Sequence, residues 1–459
     1  MYAVVSPRRF TGTYRIPASK SHTIRRLLMA ALAEGVSEID YPLDSLDTRS
    51  CATVSRLLGA ELSERRAADS GCPNPANERG ERLVRWTVRG ISGRGPGEAC
   101  PALWAADGPL ALDVGNSGTT LYLALAVAGL GKRPISFTGD AQIARRSAGP
   151  LLEALRGLGI RVEAGAEGCV PITVQGPWQG GRVRLPCPTS QYLSALLLAA
   201  PLAPLGTLTE IEAPLLNEKP YIDMTLAYLD AQGIPCERAG DYSRFRIPGG
   251  GAYRPMNGAV PGDFSSAAFP GAAAAITGGP VSLLGLDPED TQGDKVFFHY
   301  IETMGCTVRW EQEAGPVNTG EWRLRVSREG PLHGGVFDLN ATPDLLPVLA
   351  VLGAYAQGET ALVNVAHARL KETDRIAVMA RELGRLGAAC TERPDGLIIR
   401  GSGRLAGGQV EGWGDHRVVM ALEAAALGAA GPVKIAGAES AAVTWPGFSE
   451  LTGADILQE

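Results

Sequence analysis

The chain has 459 residues, 45% of them hydrophobic and 20% charged, a balance expected of a soluble globular protein with two or three domains. Its 43 Lys and Arg face 49 Asp and Glu, and a net charge of -6 excludes whole-surface attraction to nucleic acid or an anionic membrane. The start "MYAVVSPRRFTGTYRIP" lacks the apolar core of a secretory leader, no window is apolar enough to span a bilayer, and eight scattered cysteines show no zinc-ligand spacing, so we expect a cytoplasmic chain with reduced thiols.

Taken in chain order, six segments repeat one pattern, in which a polar or glycine-rich cluster leads into a small-residue apolar helix ending near a glycine. They are "SKSHTIRRLLMAALAEG" (19–35), "GNSGTTLYLALAVAGLG" (115–131), "TSQYLSALLLAAPLAPLG" (189–206), "GDFSSAAFPGAAAAITGG" (262–279), "TPDLLPVLAVLGAYAQG" (342–358) and "GDHRVVMALEAAALGAAG" (414–431). Their ends are 96, 75, 73, 79 and 73 residues apart, which marks a repeat of roughly 75 residues with an enlarged first copy. The excess is assigned to loops or an insertion at 63–82 and 90–108, which are polar and rich in Gly and Pro. Between the apolar helices run short alternating strands such as "RWTVRGI" and "RLRVSREG", and more amphipathic helices such as "AGPLLEALRGLG" and "YIDMTLAYLDAQG". A helix apolar on all sides is buried on all sides, so each repeat should wrap one core helix in sheet and outer helices.

The leading clusters hold Lys20 and Ser21; Asn116, Ser117, Gly118 and Thr119; Thr189, Ser190 and Gln191; Ser265 and Ser266; Asp344; and Asp415, His416 and Arg417. Ser, Thr, Asn and Asp are ordinary helix caps. Six clusters at matched positions, with Arg25, Arg145, Arg146, Lys371 and Arg375 nearby, also make anion sites at helix starts, where free N–H groups and the dipole favour negative charge. Asp344, Glu372 and Asp415, with His416, are the groups among them that could move protons. In "KETDRI" (371–376) a helix begun at Lys371 would stack it over Arg375, a repulsive spacing that a bound anion would relieve, whereas a plain solvated face would pair Asp374 with Lys371. The residues alone indicate an enzyme or binder for small polyanions, without naming a reaction.

In order, "PASKSHTIRRLLMAALAEG", "GNSGTT", "TSQYLSALLLAAPLA", "KPYIDMTL", "TPD", "LKETDRIAVMARELGRLGA" and "GDHRVVMALEAAAL" resemble the 5-enolpyruvylshikimate-3-phosphate synthase family over nearly the whole chain. The resemblance implies an α/β fold of two domains, each of three βαβαββ-like units around buried helices, an inside-out α/β barrel with its active site in the interdomain cleft. The family pattern places one domain at 1–17 plus 261–459 and the other at 18–260. The implied reaction joins phosphoenolpyruvate to the 5-hydroxyl of shikimate 3-phosphate and releases phosphate, with no metal or cofactor, in a monomeric protein of the cytoplasm whose partners are these small molecules, not nucleic acid or membrane. By the same resemblance Lys20, Gly118, Arg146, Gln191, Arg375 and Arg417 hold phosphoenolpyruvate. Ser21, Arg25, Thr189, Ser190, Gln191, Tyr221, Asp344 and Lys371 hold shikimate 3-phosphate, and Lys20, Asp344 as base, Glu372 as acid and His416 carry the chemistry.

Six positions depart from the family pattern: Tyr122, Ser147, Thr189, Glu218, His367 and Val443. Glu218 matters most, because it replaces a serine that the resemblance puts on the substrate phosphate, where a carboxylate repels unless it turns away and Lys219 or a neighbour compensates. An enolpyruvyl transferase with a different cyclitol-like acceptor, or a non-catalytic shikimate-binding relative, are therefore the competing readings. The loop "GDAQIARRSAGP" has no cysteine, which disfavours a UDP-N-acetylglucosamine enolpyruvyl transferase, and the acidic balance disfavours an RNA 3'-phosphate cyclase.

Overall fold

The computed structural model describes residues 1–69, 71–91, 108–312 and 322–458. They divide into two compact units, Met1–Ser19 with Pro261–Glu459, and Lys20–Val260. The chain therefore leaves the first unit once and returns to it. The crossing falls at Lys20, not at residue 18, because Ala18 bridges to Gly262 and the Ser19 N–H donates to the Pro261 carbonyl.

The described residues form six four-stranded sheets, three in each unit, and all six share one topology. In the sheet of Gly181–Arg184, Leu208–Glu212, Arg244–Pro248 and Glu237–Arg238, the first pair is parallel and the other two are antiparallel. The parallel pair brackets the helix Gln191–Ala199, and Lys219–Gln232 leads back to the antiparallel strands. Each repeat is thus a βαβαββ unit, since a parallel crossover needs a helix and an antiparallel pair only a short turn. Three repeats borrow strands from distant sequence: Gly258–Ala259 pairs with Val36–Asp40, Gly12–Arg15 with Val281–Leu284, and Tyr2–Val5 with Val433–Ala436 and Asp455–Leu457.

The first helix of each repeat is the buried one. Every residue of Leu346–Tyr355 and of His416–Ala426 is buried, as is all of Phe264–Thr277 except Thr277. These three pack together inside the first unit, and the strands alternate buried with partly exposed residues around them. An Ala- and Leu-rich helix gains from this position because each fully buried Leu or Val side chain stabilises by about 1.5–3 kcal/mol. No helix among the described residues is long and apolar enough to cross a membrane.

The stretch 63–82, read as loop, is partly a strand. Glu61–Ala67 pairs antiparallel with Arg82–Arg89 at the edge of its sheet. Its half-buried face carries charge, with Glu64 pairing to Arg49 and Arg66 to Asp44, so hydrophobic alternation gives no signal. Most of the second proposed loop, residues 92–107, lies outside the described residues.

Candidate active site

In the first unit three helix starts meet. Asp344 sits in the 3-10 turn Pro343–Leu345 ahead of Leu346–Tyr355, Arg375 opens Arg375–Arg385, and Asp415 caps His416–Ala426. Arg375, 1% exposed, joins them. Its Nε and Nη2 donate to the two Asp415 oxygens at 2.7 and 3.2 Å, Nη1 to Asp344 Oδ1 at 2.7 Å, and Nη2 to Glu372 Oε2 at 2.7 Å. Arg417 Nη2 lies 2.9 Å from Asp344 Oδ2, and Lys371 Nζ 3.8 Å from Oδ1. Three carboxylates and three cations therefore interlock, which is how buried charge remains affordable.

Asp344 is the hub. Burial alone would raise its carboxyl, but Arg417, Lys371 and Arg375 outweigh burial and hold it well below the usual carboxylate range. Arg375 is pulled the opposite way from its burial, further into the charged range, chiefly by Asp415, then Glu372 and Asp344.

The geometry corrects the reading of "KETDRI". Asp374 caps the helix by accepting from the Ala377 N–H at 3.0 Å, so the helix begins at Arg375 and Lys371 lies in extended backbone before it. Asp374 pairs with Arg369 at 2.7 Å instead of with Lys371. Lys371 and Arg375 are not stacked on one helical face. Asp344 lies near both and offsets their repulsion. Asp415, first considered as a proton carrier, is tied to Arg375 and accepts from the Arg417 N–H at 2.8 Å, so it positions both arginines. His416 and His367 are buried nearby in the sequence, His416 as the first residue of its helix.

In the second unit Arg25 is the organising residue. It is 2% exposed on the helix Lys20–Leu32, and its hydrogen bonds all go to neutral oxygens. They are Thr225 Oγ1 at 2.9 Å, Ser194 Oγ at 3.1 Å, and the carbonyls of Ser21 at 3.2 Å and Tyr221 at 3.4 Å. Desolvation pushes this guanidinium down to about 10, only partly opposed by Tyr228, Tyr221 and Glu218. A buried arginine held only by neutral groups favours an anionic ligand.

The other expected residues of this unit lie at or against helix starts. Lys20 Nζ is 3.0 Å from Asp47 Oδ2. Arg146 packs on the start of the helix Gly118–Ala128, so closely that a Cβ on Gly118 would sit 2.6 Å from Arg146 Nη1. Gln191 opens its helix, with Oε1 buried and unpartnered among the described residues. Thr189 and Ser190 precede it and both point their hydroxyls at Glu218. Of the compensating groups expected for Glu218, the Lys219 ammonium stands over the Tyr242 ring, 5.3 Å from the centroid, and the neighbours Thr189 and Ser190 hold the carboxylate.

Sequence reasoning passed over Thr225 and Ser194, which hold Arg25, and Asp47, which holds Lys20. Thr225 was findable, four residues after Tyr221 on the same helix face. Of the departures from the family pattern, Tyr122 packs edge-on against Tyr192, centroids 5.0 Å apart, and the Tyr192 hydroxyl donates to the backbone carbonyl of Ser147 at 2.6 Å.

A family profile for EPSP synthase (3-phosphoshikimate 1-carboxyvinyltransferase) matches residues 4–82 and 98–451. The 3-phosphoshikimate 1-carboxyvinyltransferase of Acetivibrio thermocellus is 43% identical over 99% of each chain, and that of Halobacterium salinarum 40% identical over 98% of each. Among solved structures, an EPSP synthase from Acinetobacter baumannii superposes with a TM-score of 0.77 at 28% identity, covering 98% of this chain and 97% of its own. With the repeated βαβαββ units and both charged clusters in place, the chain belongs to the EPSP synthase (3-phosphoshikimate 1-carboxyvinyltransferase) family.

Proposed function

We propose that the chain transfers the enolpyruvyl group of phosphoenolpyruvate to the 5-hydroxyl of shikimate 3-phosphate and releases phosphate, on the path to aromatic amino acids. The observation that carries this reading is Asp344 held between Arg375 and Arg417, at 2.7 and 2.9 Å. A base surrounded by cations gains basicity when anionic substrates engage those cations.

In this reading Asp344 takes the proton of the 5-hydroxyl as its oxygen bonds to C2 of phosphoenolpyruvate, and Glu372 delivers a proton to the methylene carbon. The tetrahedral adduct then loses a proton from that methyl carbon, and the bond to the phosphate oxygen breaks. Lys20, Arg146, Arg375 and Arg417, with Gly118 and Gln191, hold phosphoenolpyruvate through the adduct. Ser21 and Arg25 take the acceptor's carboxylate, and Thr189, Ser190, Tyr221 and Lys371 its phosphate and ring hydroxyls. His416 supports the proton transfer next to Arg417. Preorganised cations contribute most where charge develops in a water-poor site. The protein works as a monomer in the cytoplasm and needs no metal or cofactor.

The test is phosphate release from phosphoenolpyruvate with shikimate 3-phosphate, with unphosphorylated shikimate, and with no acceptor. Release that depends on shikimate 3-phosphate supports the reading, and its absence sinks it. Glu218 favours one rival, an unphosphorylated cyclitol acceptor, which would give equal release with shikimate.

A further inference from the structure

Glu218 does not turn away from the site. It is 2% exposed, and its Oε2 accepts from the Ser190 N–H at 3.0 Å, the Ser190 hydroxyl at 2.8 Å and the Thr189 hydroxyl at 3.2 Å. Three donors converging on one anionic oxygen at a helix start form the arrangement that holds a phosphate oxygen. The backbone enforces this aim. Glu218 has φ 59 and ψ 41, a left-handed conformation that costs a non-glycine residue energy and is tolerated where function gains from it. It stands at the cap of Lys219–Gln232 without a side-chain capping bond there, and its carboxylate serves the start of the neighbouring helix.

We propose that Glu218 is a specificity-determining residue whose carboxylate competes with the acceptor's phosphate for the cradle formed by Thr189 and Ser190. This rests on the reading of Thr189 and Ser190 as the acceptor's phosphate subsite. Two anions cannot share three donors at hydrogen-bond distance without strong mutual repulsion. Shikimate 3-phosphate therefore binds only by driving Glu218 out, and part of its binding energy is spent on that displacement. Arg25, held by Tyr221 and Thr225 of the helix that Glu218 caps, stays in place for the carboxylate. The displacement falls on phosphate-bearing ligands alone, so it narrows the preference for shikimate 3-phosphate over its unphosphorylated form.

The test measures dissociation constants of shikimate 3-phosphate and of unphosphorylated shikimate by calorimetry, for the intact chain and for Glu218→Ser and Glu218→Gln. Glu218→Ser should tighten shikimate 3-phosphate by about tenfold, equivalent to about 1.4 kcal/mol, and change shikimate less than threefold. Glu218→Gln keeps the shape, removes the charge, and should move the same ratio in the same direction by less. The proposal is overturned if the constant for shikimate 3-phosphate, divided by that for shikimate, stays put or rises in both variants. The phosphate-release assay is separate. A chain that releases phosphate with shikimate 3-phosphate while the ratio stays put keeps its function and loses only this role for Glu218.

Discussion

Arg375 grips both oxygens of Asp415, at 2.7 and 3.2 Å, with neither side chain more than 1% exposed. The bidentate fork fixes the plane of the guanidinium, so Nη1 and Nη2 face Asp344 and Glu372. Removing one member of a buried pair strands the other's charge, which costs about 3–5 kcal/mol. Asp415→Ala should lose that much in urea denaturation and should also misdirect Arg417, whose N–H the same carboxylate accepts. A loss below about 1 kcal/mol would show that Arg375 is held well enough by its other acids.

How much of this was legible beforehand depends on what each residue does locally. The six apolar helices were plain because small-residue runs such as "LPVLAVLGAY" have no face that could meet water. Strand Glu61–Ala67 is hidden because it lies at a sheet edge and carries the paired charges Glu64 and Arg66 on its half-buried face. Within the site, Lys371 and Arg375 were identified as a pair, but their neighbour Asp344 lies about thirty residues away in sequence, and only the meeting of helix starts brings it between them. Glu218 was noticed as a misfit, whereas its aim follows from a left-handed backbone that no hydrophobic pattern encodes.

Asp344 gives a pH signature in stability. Its folded pKa lies below the unfolded value of about 3.9. A depressed carboxyl stabilises fully above its unfolded pKa and loses that contribution as pH falls toward the folded one. The stability difference between the intact chain and Asp344→Asn should therefore be flat from pH 7 to about 5 and shrink below about 4. A difference that already shrinks between pH 7 and 6 would mean that the three cations do not hold Asp344 as described. The same variant should lower turnover by about a hundredfold or more, the usual cost of losing a placed base.

Gly118 offers a substitution in which stability and activity part company. Its φ is ordinary and it lies in the first turn of Gly118–Ala128, so Ala would favour the helix by up to about 1 kcal/mol. The new Cβ would meet Arg146 Nη1 at 2.6 Å and push the guanidinium aside. Gly118→Ala should raise the KM for phosphoenolpyruvate roughly tenfold, the effect of a displaced charge-assisted contact, while thermal stability holds or rises. An unchanged KM would mean that Arg146 can yield without cost, or that it does not touch this substrate.

Arg25 tests whether a functional group is retained at the expense of the fold. Its charge is buried with neutral partners and pushed down to about 10 by desolvation, so the folded chain bears a penalty that only an anionic ligand relieves. Arg25→Met keeps most of the volume and removes the charge. Thr225 Oγ1 has two acceptors within reach of its one proton, the Tyr221 carbonyl at 2.9 Å and Ser194 Oγ at 3.1 Å, so it stays partnered without Arg25. We expect unfolding free energy to be unchanged or higher, as replacement of buried charge by a matched apolar side chain often gives. Affinity for the acceptor should fall by about a hundredfold, that is about 2.7 kcal/mol, with the KM for phosphoenolpyruvate little altered. Calorimetric titration with shikimate 3-phosphate, run beside urea denaturation, reads both quantities on one preparation. A variant that loses stability and keeps acceptor affinity would make Arg25 a structural clamp between its helix, Ser194 and the helix Lys219–Gln232. The carboxylate subsite would then have to be sought elsewhere.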